Sequence, residues 1–382
     1  MPHYLALSAF YGLFFAALGV WLPFWPLYLK EIGFEAQAIG LAAALGQGIK
    51  VLGPPLWGHL ADRGSRHRVT VFTSFATLLA FVPFFFMDNS LPFLLIAIAF
   101  YNFFHSSPMI LVEATTMEVV EREGWNYGRI RLWGSLGFIV CSNTMGWVVG
   151  WWGLSSLLWT MLLLLGSHAL LSLFLPRPTR HPPSGTHPPG SGLFHRPGVR
   201  WFYLSTLFMQ FSHGAYYGFM SLHLAANGYS PTAIGALWGV GVVAEVVLLI
   251  YARDLVARLG VGRLLSFSLL MAVLRWGLFS LTVSWPGLVL GQLLHAFTFG
   301  AFHVSGVRRT FEMAPLHSRT TAQTWYSAFS YGLGGGLGLM LAGQLFSLGS
   351  TLLFGVMAAA ASLGWLASQR SIHCFAQEPL KE

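Results

Sequence analysis

The sequence predicts an all-α membrane protein with twelve transmembrane helices in two six-helix bundles. Three observations predict it. Of 382 residues, 55% are hydrophobic and only 9% are charged, against about 25% charged in an ordinary soluble domain. The apolar residues fall into runs close to the ~20 residues a helix needs to cross about 30 Å of hydrocarbon. The second half of the chain also echoes the first.

The first run, Tyr4 to Leu29, is too long for the apolar stretch of a cleavable signal peptide and reads as a helix that stays in the membrane. Five more follow at 36–60, 69–87, 91–115, 128–150 and 153–175, which closes an N-terminal bundle over residues 1–175. PRPTRHPPSGTHPPGSGLFHRP (176–197) then brings seven prolines and no apolar period. A cytoplasmic linker over 176–198 is expected there, its three histidines being read as linker residues and not as a metal site. The second bundle, 199–370, is expected to hold helices at 199–226, 232–252, 263–284, 286–307, 320–346 and 349–369, before a cytoplasmic tail over 371–382.

Charge fixes the orientation. Of 21 Lys and Arg residues, Lys30 falls in a loop placed outside, while Lys50 and Arg275 lie within helices and Arg131 just inside one. The rest, such as Arg63, Arg66, Arg122, Arg180, Arg258, Arg309 and Arg370, lie in alternate loops or the tail. Those loops and both termini are therefore expected in the cytoplasm, and the protein in the cytoplasmic (inner) membrane. The pI near 9.7 is topogenic on this reading and does not point to nucleic acid. Cys141 and Cys374 make no disulfide framework. With no P-loop, G-x-S-x-G or Cys/His metal spacing, neither a cofactor nor catalysis is expected.

A shift of 195 residues brings Ala38, Ile39, Gly40 and Gly46 onto Ala233, Ile234, Gly235 and Gly241, and Leu60 and Arg63 onto Leu255 and Arg258. Two parallel halves flanking a midplane site is a transporter plan. The same shift carries Lys50 onto Glu245, so each half holds a charge at one place in its second helix.

GHLADRGSRHR (58–68) resembles the G-x-x-x-D-R-x-G-R-R loop of the major facilitator superfamily, with Ser65 where that loop usually has Gly or Arg. Gly58, Asp62, Arg63 and Arg66 are its counterparts here; Asp62 is expected to cap a helix end, meet the arginines and steady one access state. PFWPLYLKEIG (23–33), VEATTMEVVEREGWNYGRIRLWGSLGF (112–138), GVVAEVV (241–247), LRWG (274–277) and QLLHAFTFGAFH (292–303) are similar to the family of the bacterial 3-phenylpropionic acid transporter, close to lactose permease.

The resemblance implies roles residue by residue. Glu113 and Arg131 stand eighteen apart, like the glutamate and arginine with which lactose permease binds sugar. Arg275 and His295 match its ninth-helix arginine and tenth-helix histidine, and Glu245 matches its eighth-helix glutamate within a turn. The departures count too. Thr298 stands where the permease has its proton-carrying glutamate, and Lys50 has no counterpart in it.

The residues carry a reading of their own. Glu113 and Glu245 are the carboxylates that fall inside helices, against three bases there, Lys50, Arg131 and Arg275. Each acid is either a buried structural partner of a nearby cation or a group facing a water-filled cavity. Burial disfavours an ionised carboxylate and an arginine beside it favours one, so an acid whose arginine moves would load and release a proton. Arg275 needs a counter-ion, Glu245 or a substrate carboxylate. His295 and His303, eight apart, fall roughly on one face; for these and for His105 and His213 a packing role is the plainer alternative. An aromatic substrate would stack on Trp133 or Phe138, whereas Trp21 and Trp25 suit an interfacial belt. GLGGGLG (332–338) permits close helix approach.

The expected function is secondary active transport of a small organic solute, an aromatic or other organic anion first, with protons as coupling ion, by a monomer in the lipid bilayer. Lys50, Glu113, Arg131, Trp133, Arg275 and His295 are expected to bind the solute. Glu245, Arg275, His295 and His303 are expected to couple it to protons. The alternatives are a sugar or nucleoside symporter of the same fold and, more remotely, a membrane enzyme or scaffold. A reporter fused after Ser90 is expected to read as external and one in the 176–197 linker as internal; the reverse at either point overturns the topology.

Overall fold

The computed structural model describes residues 2–177, 196–314 and 319–377. Most of the 176–198 linker, with its histidines, and the end of the tail lie outside those residues. Every element among them is helical. In the first part of the chain α1 spans Pro2–Glu31, α2 Ala36–Arg63, α3 Arg66–Phe81 with a 3₁₀ extension Val82–Phe86, α4 Leu91–His105, α5 Pro108–Glu123, α6 Tyr127–Trp152 and α7 Ser156–Ser172. In the second, α8 spans Pro197–Ser212, α9 Gly214–Ala226, α10 Pro231–Ile250, α11 Ala252–Leu259, α12 Val261–Leu281, α13 Trp285–Leu293, α14 Phe302–Met313, α15 Arg319–Ser327, α16 Gly335–Phe346 and α17 Ser350–Gln377. Wide π turns, Ala296–Ala301 and Ala328–Gly334, interrupt the regular winding before α14 and before α16.

Nine helices among the described residues are long and apolar enough to cross a membrane. The other three expected spans are helical but shorter or interrupted. α7 has 17 residues, α8 and α9 are parted at His213, and α15 reaches α16 through a π turn.

Local chemistry sets the breaks. α4 ends at His105, and Pro108, which has no N–H to give, opens α5. Gly124 closes α5 at φ 69°, a left-handed cap that costs a glycine little. Asn126 caps α6 by accepting from the Arg129 amide. Ser65 caps α3 by accepting from the Arg68 amide at 3.4 Å. The cap expected of Asp62 is therefore Ser65, and Asp62 itself stands exposed without an ion pair among the described residues.

The chain forms two compact units. One comprises α1 to α7 with residues 221–239, the other residues 196–220 with 240–377. In the first, α1 lies directly on α6: a Cβ on Gly137 would stand 2.2 Å from the Gly12 carbonyl, and one on Gly19 2.6 Å from that of Phe138. Leu7, Phe10, Tyr11, Val112, Val119 and Ile130 form a core beside this seam. Residues 221–239 join α6 the same way: a Cβ on Gly235 would stand 2.2 Å from the Ser142 carbonyl.

The second unit is closed by the expected glycine run. A Cβ on Gly338 would meet the Phe211 carbonyl at 2.0 Å and one on Gly334 that of Leu207 at 2.5 Å, while Gly214 would meet the Gly338 backbone at 2.2 Å. Lipid supplies no hydrophobic drive between helices, so small residues that let backbones touch do much of the work. Gly338→Ala is expected to lower the thermal midpoint of the purified protein by an amount corresponding to roughly 1–3 kcal/mol. Gly48→Ala, where an added Cβ meets nothing within 4 Å, is expected to leave it unchanged.

Candidate functional site

In the second unit the charges gather around Arg275 of α12, whose side chain is 0% exposed. Its Nη1 donates to Nδ1 of His295 and to Oγ1 of Thr298, both at 3.0 Å. Its Nη2 donates to Oε1 of Gln292 at 3.1 Å, which also accepts from the Tyr216 hydroxyl at 3.0 Å. The guanidinium carbon lies 4.2 Å from the centre of the Tyr216 ring and 4.7 Å from that of Trp276. A desolvated cation over an aromatic face gains about 2 kcal/mol, which offsets part of the several kcal/mol of dehydration.

An arginine has only donors to offer. Nδ1 of His295 is therefore the acceptor, and the ring proton sits on Nε2. That nitrogen faces Oε2 of Glu245 at 3.6 Å, close enough to feel the charge and longer than a good hydrogen bond. The sequence offers Glu245 or a substrate carboxylate as the counter-ion of Arg275, and direct contact with Glu245 would be the simplest form of the first. The structure corrects this: a histidine stands between them, and the atoms touching Arg275 are neutral acceptors and ring faces.

The π turn gives this site its alignment. Eight residues of regular helix would leave His303 roughly 80° around from His295. The wide turn Ala296–Ala301 takes up one residue, and His295, Phe299 and His303 then stack in line. Their successive ring centres are 5.4 and 6.2 Å apart and the planes within 10°. Nδ1 of His303 meets the Tyr331 hydroxyl at 3.1 Å. Close approach by α10 is again a matter of glycine: a Cβ on Gly300 would touch Glu245 at 3.3 Å, and one on Gly241 would touch Gln292 at 3.2 Å.

The first unit repeats the frame with other contents. A Cβ on Gly46 of α2 would stand 2.9 Å from the Asn102 amide of α4, and Lys50, one turn on, lies within electrostatic reach of His105. Lys50 is half-buried and makes no hydrogen bond or ion pair among the described residues. His105 is stacked between Tyr101, at 5.0 Å and 20°, and Phe14, at 4.9 Å and 10°.

Glu113 and Arg131 are not paired with each other. Glu113 accepts from the Tyr127 hydroxyl at 2.7 Å, and the Arg131 guanidinium lies 4.0 Å over the Phe15 ring. Among the described residues no ion pair joins them, because each is held by an aromatic side chain instead. Trp133 is half-exposed and stacks on no ring among the described residues. On either side of the α2–α3 turn, Gly58 near the end of α2 has open space around it, Arg63 is exposed, and Arg66 at the start of α3 pairs with Glu118 of α5 at 3.4 Å.

Sequence reasoning missed Tyr216 and Gln292, and it read Thr298 only as a missing acid. The available signal was spacing: Gln292, His295 and Thr298 recur every three residues beside a buried arginine. Trp21 stacks on Trp25 at 4.1 Å and on Tyr101 at 5.0 Å.

The model of the MFS_1 like family matches residues 4–356. A probable 3-phenylpropionic acid transporter of Escherichia coli (strain K12) is 31% identical over 303 residues, covering 78% of this chain and 79% of that one. A putative nucleoside transporter, YegT, of the same organism is 26% identical over 86% of this chain and 80% of its own. Among solved structures, the crystal structure of the nucleoside transporter NupG superposes with a TM-score of 0.82 at 17% identity, over 99% of this chain and 100% of that one, a likeness that speaks for the fold. The chain belongs to the MFS_1 like family and is a multi-pass membrane transporter of the major facilitator superfamily.

Proposed function

We propose that the protein is a proton-coupled symporter for a small organic anion, an aromatic carboxylate first, working by alternating access in the cytoplasmic membrane as a monomer with both termini inside. The observation that carries this is the line Arg275–His295–Glu245: a fully buried cation joined to a carboxylate through a neutral imidazole. With Glu245 ionised, the three groups together are neutral. A proton on Glu245 leaves Arg275 uncompensated and changes which partner it favours, and that is the change a coupling site has to make. His295 keeps its proton on Nε2 for as long as Arg275 holds Nδ1, so the acid that titrates is Glu245. His303, in line beyond Phe299, extends the route.

The substrate class draws on the printed name of the Escherichia coli relative and on the count of bases over acids within the helices. In this reading Glu113 and Arg131, neither engaged by the other, hold polar groups of the solute. The turn bearing Gly58, Asp62, Arg63 and Arg66 acts as a gate, with Arg66–Glu118 as its latch. A second reading, a nucleoside as solute, is favoured by the same open glutamate and arginine, which suit hydroxyl groups equally well, and by the relative YegT.

Uptake of labelled 3-phenylpropionate into vesicles, with and without a protonophore, tests the proposal. The expected result is protonophore-sensitive accumulation. Glu245→Gln is expected to abolish accumulation while preserving exchange down the gradient; if it still accumulates solute in a protonophore-sensitive way, Glu245 is structural. Because His295 intervenes, Glu245→Ala is expected to be about as stable as Glu245→Gln. Arg131→Ala is expected to cut uptake at least about tenfold, and Arg131→Lys not to restore it, since a point charge lacks the planar fork. Normal uptake by the lysine variant would reduce Arg131 to balancing charge.

A further inference from the structure

The shift of 195 residues brings Gly46 and Lys50 onto Gly241 and Glu245, and a shift of 190 brings Asn102 and His105 onto Gln292 and His295. In the second unit Gly241 packs on an amide, Gln292, and the charge four residues on, Glu245, meets the histidine three residues past that amide, His295. In the first unit Gly46 packs on an amide, Asn102, and the charge four residues on, Lys50, lies within electrostatic reach of the histidine three residues past it, His105. Tyr216, whose ring faces Arg275 and His295, corresponds to Trp21, which stacks on Tyr101 next to His105. The frames match, but their fillings differ. The second unit is electrically complete. In the first, position 80, which corresponds to Arg275, is alanine, the acid is replaced by a lysine, and neither Lys50 nor His105 has a hydrogen-bond partner among the described residues.

Lys50 lies fourteen residues after the start of α2 at Ala36 and thirteen before its end at Arg63, at the middle of the span. A cation there without a partner is costly, whereas a carboxylate brought to it restores the balance seen in the other unit. The surroundings say what that carboxylate is attached to. Phe14, Leu18 and Trp21 form one stripe of α1, each partly exposed. Two of those rings belong to an aromatic column, Trp25–Trp21–Tyr101–His105–Phe14, with plane angles of 10 to 27°.

Resting on the organic-anion reading above, we propose that Lys50 and His105 hold the carboxylate of a planar aromatic acid whose ring lies against Phe14 and Trp21. Both nitrogens donate, Lys50 through its ammonium and His105 through its ring N–H, and the acid supplies the negative charge that the first unit lacks.

The test is calorimetric binding to the purified full-length protein in detergent, with 3-phenylpropionate, its uncharged amide and butanoate as probes. Lys50→Met is expected to weaken 3-phenylpropionate by about ten- to a hundredfold and to leave the weaker amide unchanged. Lys50→Arg is expected to stay within about threefold of the parent, as the conservative variant keeps the charge. Trp21→Leu is expected to weaken the aryl acid and spare butanoate. Without ligand, Lys50→Met is expected to melt at a higher temperature than the parent, because it removes a charge that had no partner, so loss of binding is not loss of folding. Unchanged affinity in Lys50→Met, or equal affinity of the parent for the acid and its amide, overturns the site. Binding is read at equilibrium with no gradient. A protein that binds as expected yet never accumulates solute in vesicles sinks the symport reading and leaves the site standing. One that accumulates solute with Lys50→Met binding unchanged sinks the site alone.

Discussion

The second unit is organised around keeping Arg275 charged where there is no water. An arginine does not give up its proton at any accessible pH, so burying it commits the chain to solvate it from within. That requirement reaches outward through the helices. Gln292, His295 and Thr298 have to appear on one face of the same segment, and Tyr216 has to bring both a ring face and a hydroxyl from α9. Gly241 and Gly300 have to be bare so that α10 comes close enough for Glu245 to reach the imidazole. The charge is old-fashioned Coulomb cost, but the answer to it is mostly geometry.

The first unit shows that the same frame tolerates a different answer. Glycine against amide, then charge within electrostatic reach of histidine, recurs at Gly46, Asn102, Lys50 and His105. Close packing by glycine is indifferent to the sign of the residue one turn on, so the scaffold keeps its shape while the electrostatics invert. What changes is completeness: no arginine stands at position 80, and rings occupy the surrounding space. Duplication of a fold thus leaves two sites alike in outline and unlike in what they lack.

Much of this was legible in the sequence, and the illegible parts have a common cause. The helices follow from hydropathy, and the Gly334–Gly338 seam from spacing, because both depend on residue type and period alone. The π turns leave the apolar pattern intact while displacing every later side chain by a residue's worth of rotation, so His295 and His303 line up for a reason that letters do not carry. Ion pairing failed as an inference for the same reason. Counting charges joins Glu113 to Arg131 and Glu245 to Arg275, but neutral acceptors and rings compete for a buried guanidinium, and the nearest rotamer wins. Phe15 takes Arg131, and His295 comes between Arg275 and Glu245. Ser65 in place of Asp62 as the cap of α3 is a smaller case of the same competition.

In the proposed reading the two fillings are also what ties solute to proton. Within the helices Lys50 and Arg131 outnumber Glu113, while Arg275 and Glu245 cancel. An anion at Lys50 neutralises the first unit; a proton at Glu245 leaves the second with one positive charge. Loaded with both, the protein carries the same intramembrane charge as when it is empty. Loaded with the proton alone, it carries a second positive charge with no counter-charge in the helices, which is the expensive case in hydrocarbon. Loaded with the anion alone, it leaves Glu245 ionised and Arg275 satisfied through His295, so the second unit has no reason to change its contacts. The empty and the doubly loaded forms alone carry the same intramembrane charge, one uncompensated cation in each, which sits in the first unit when the protein is empty and in the second when it is loaded. Coupling on this account needs no direct contact between solute and proton: two charge balances of opposite sign, set on one repeated frame, are sufficient.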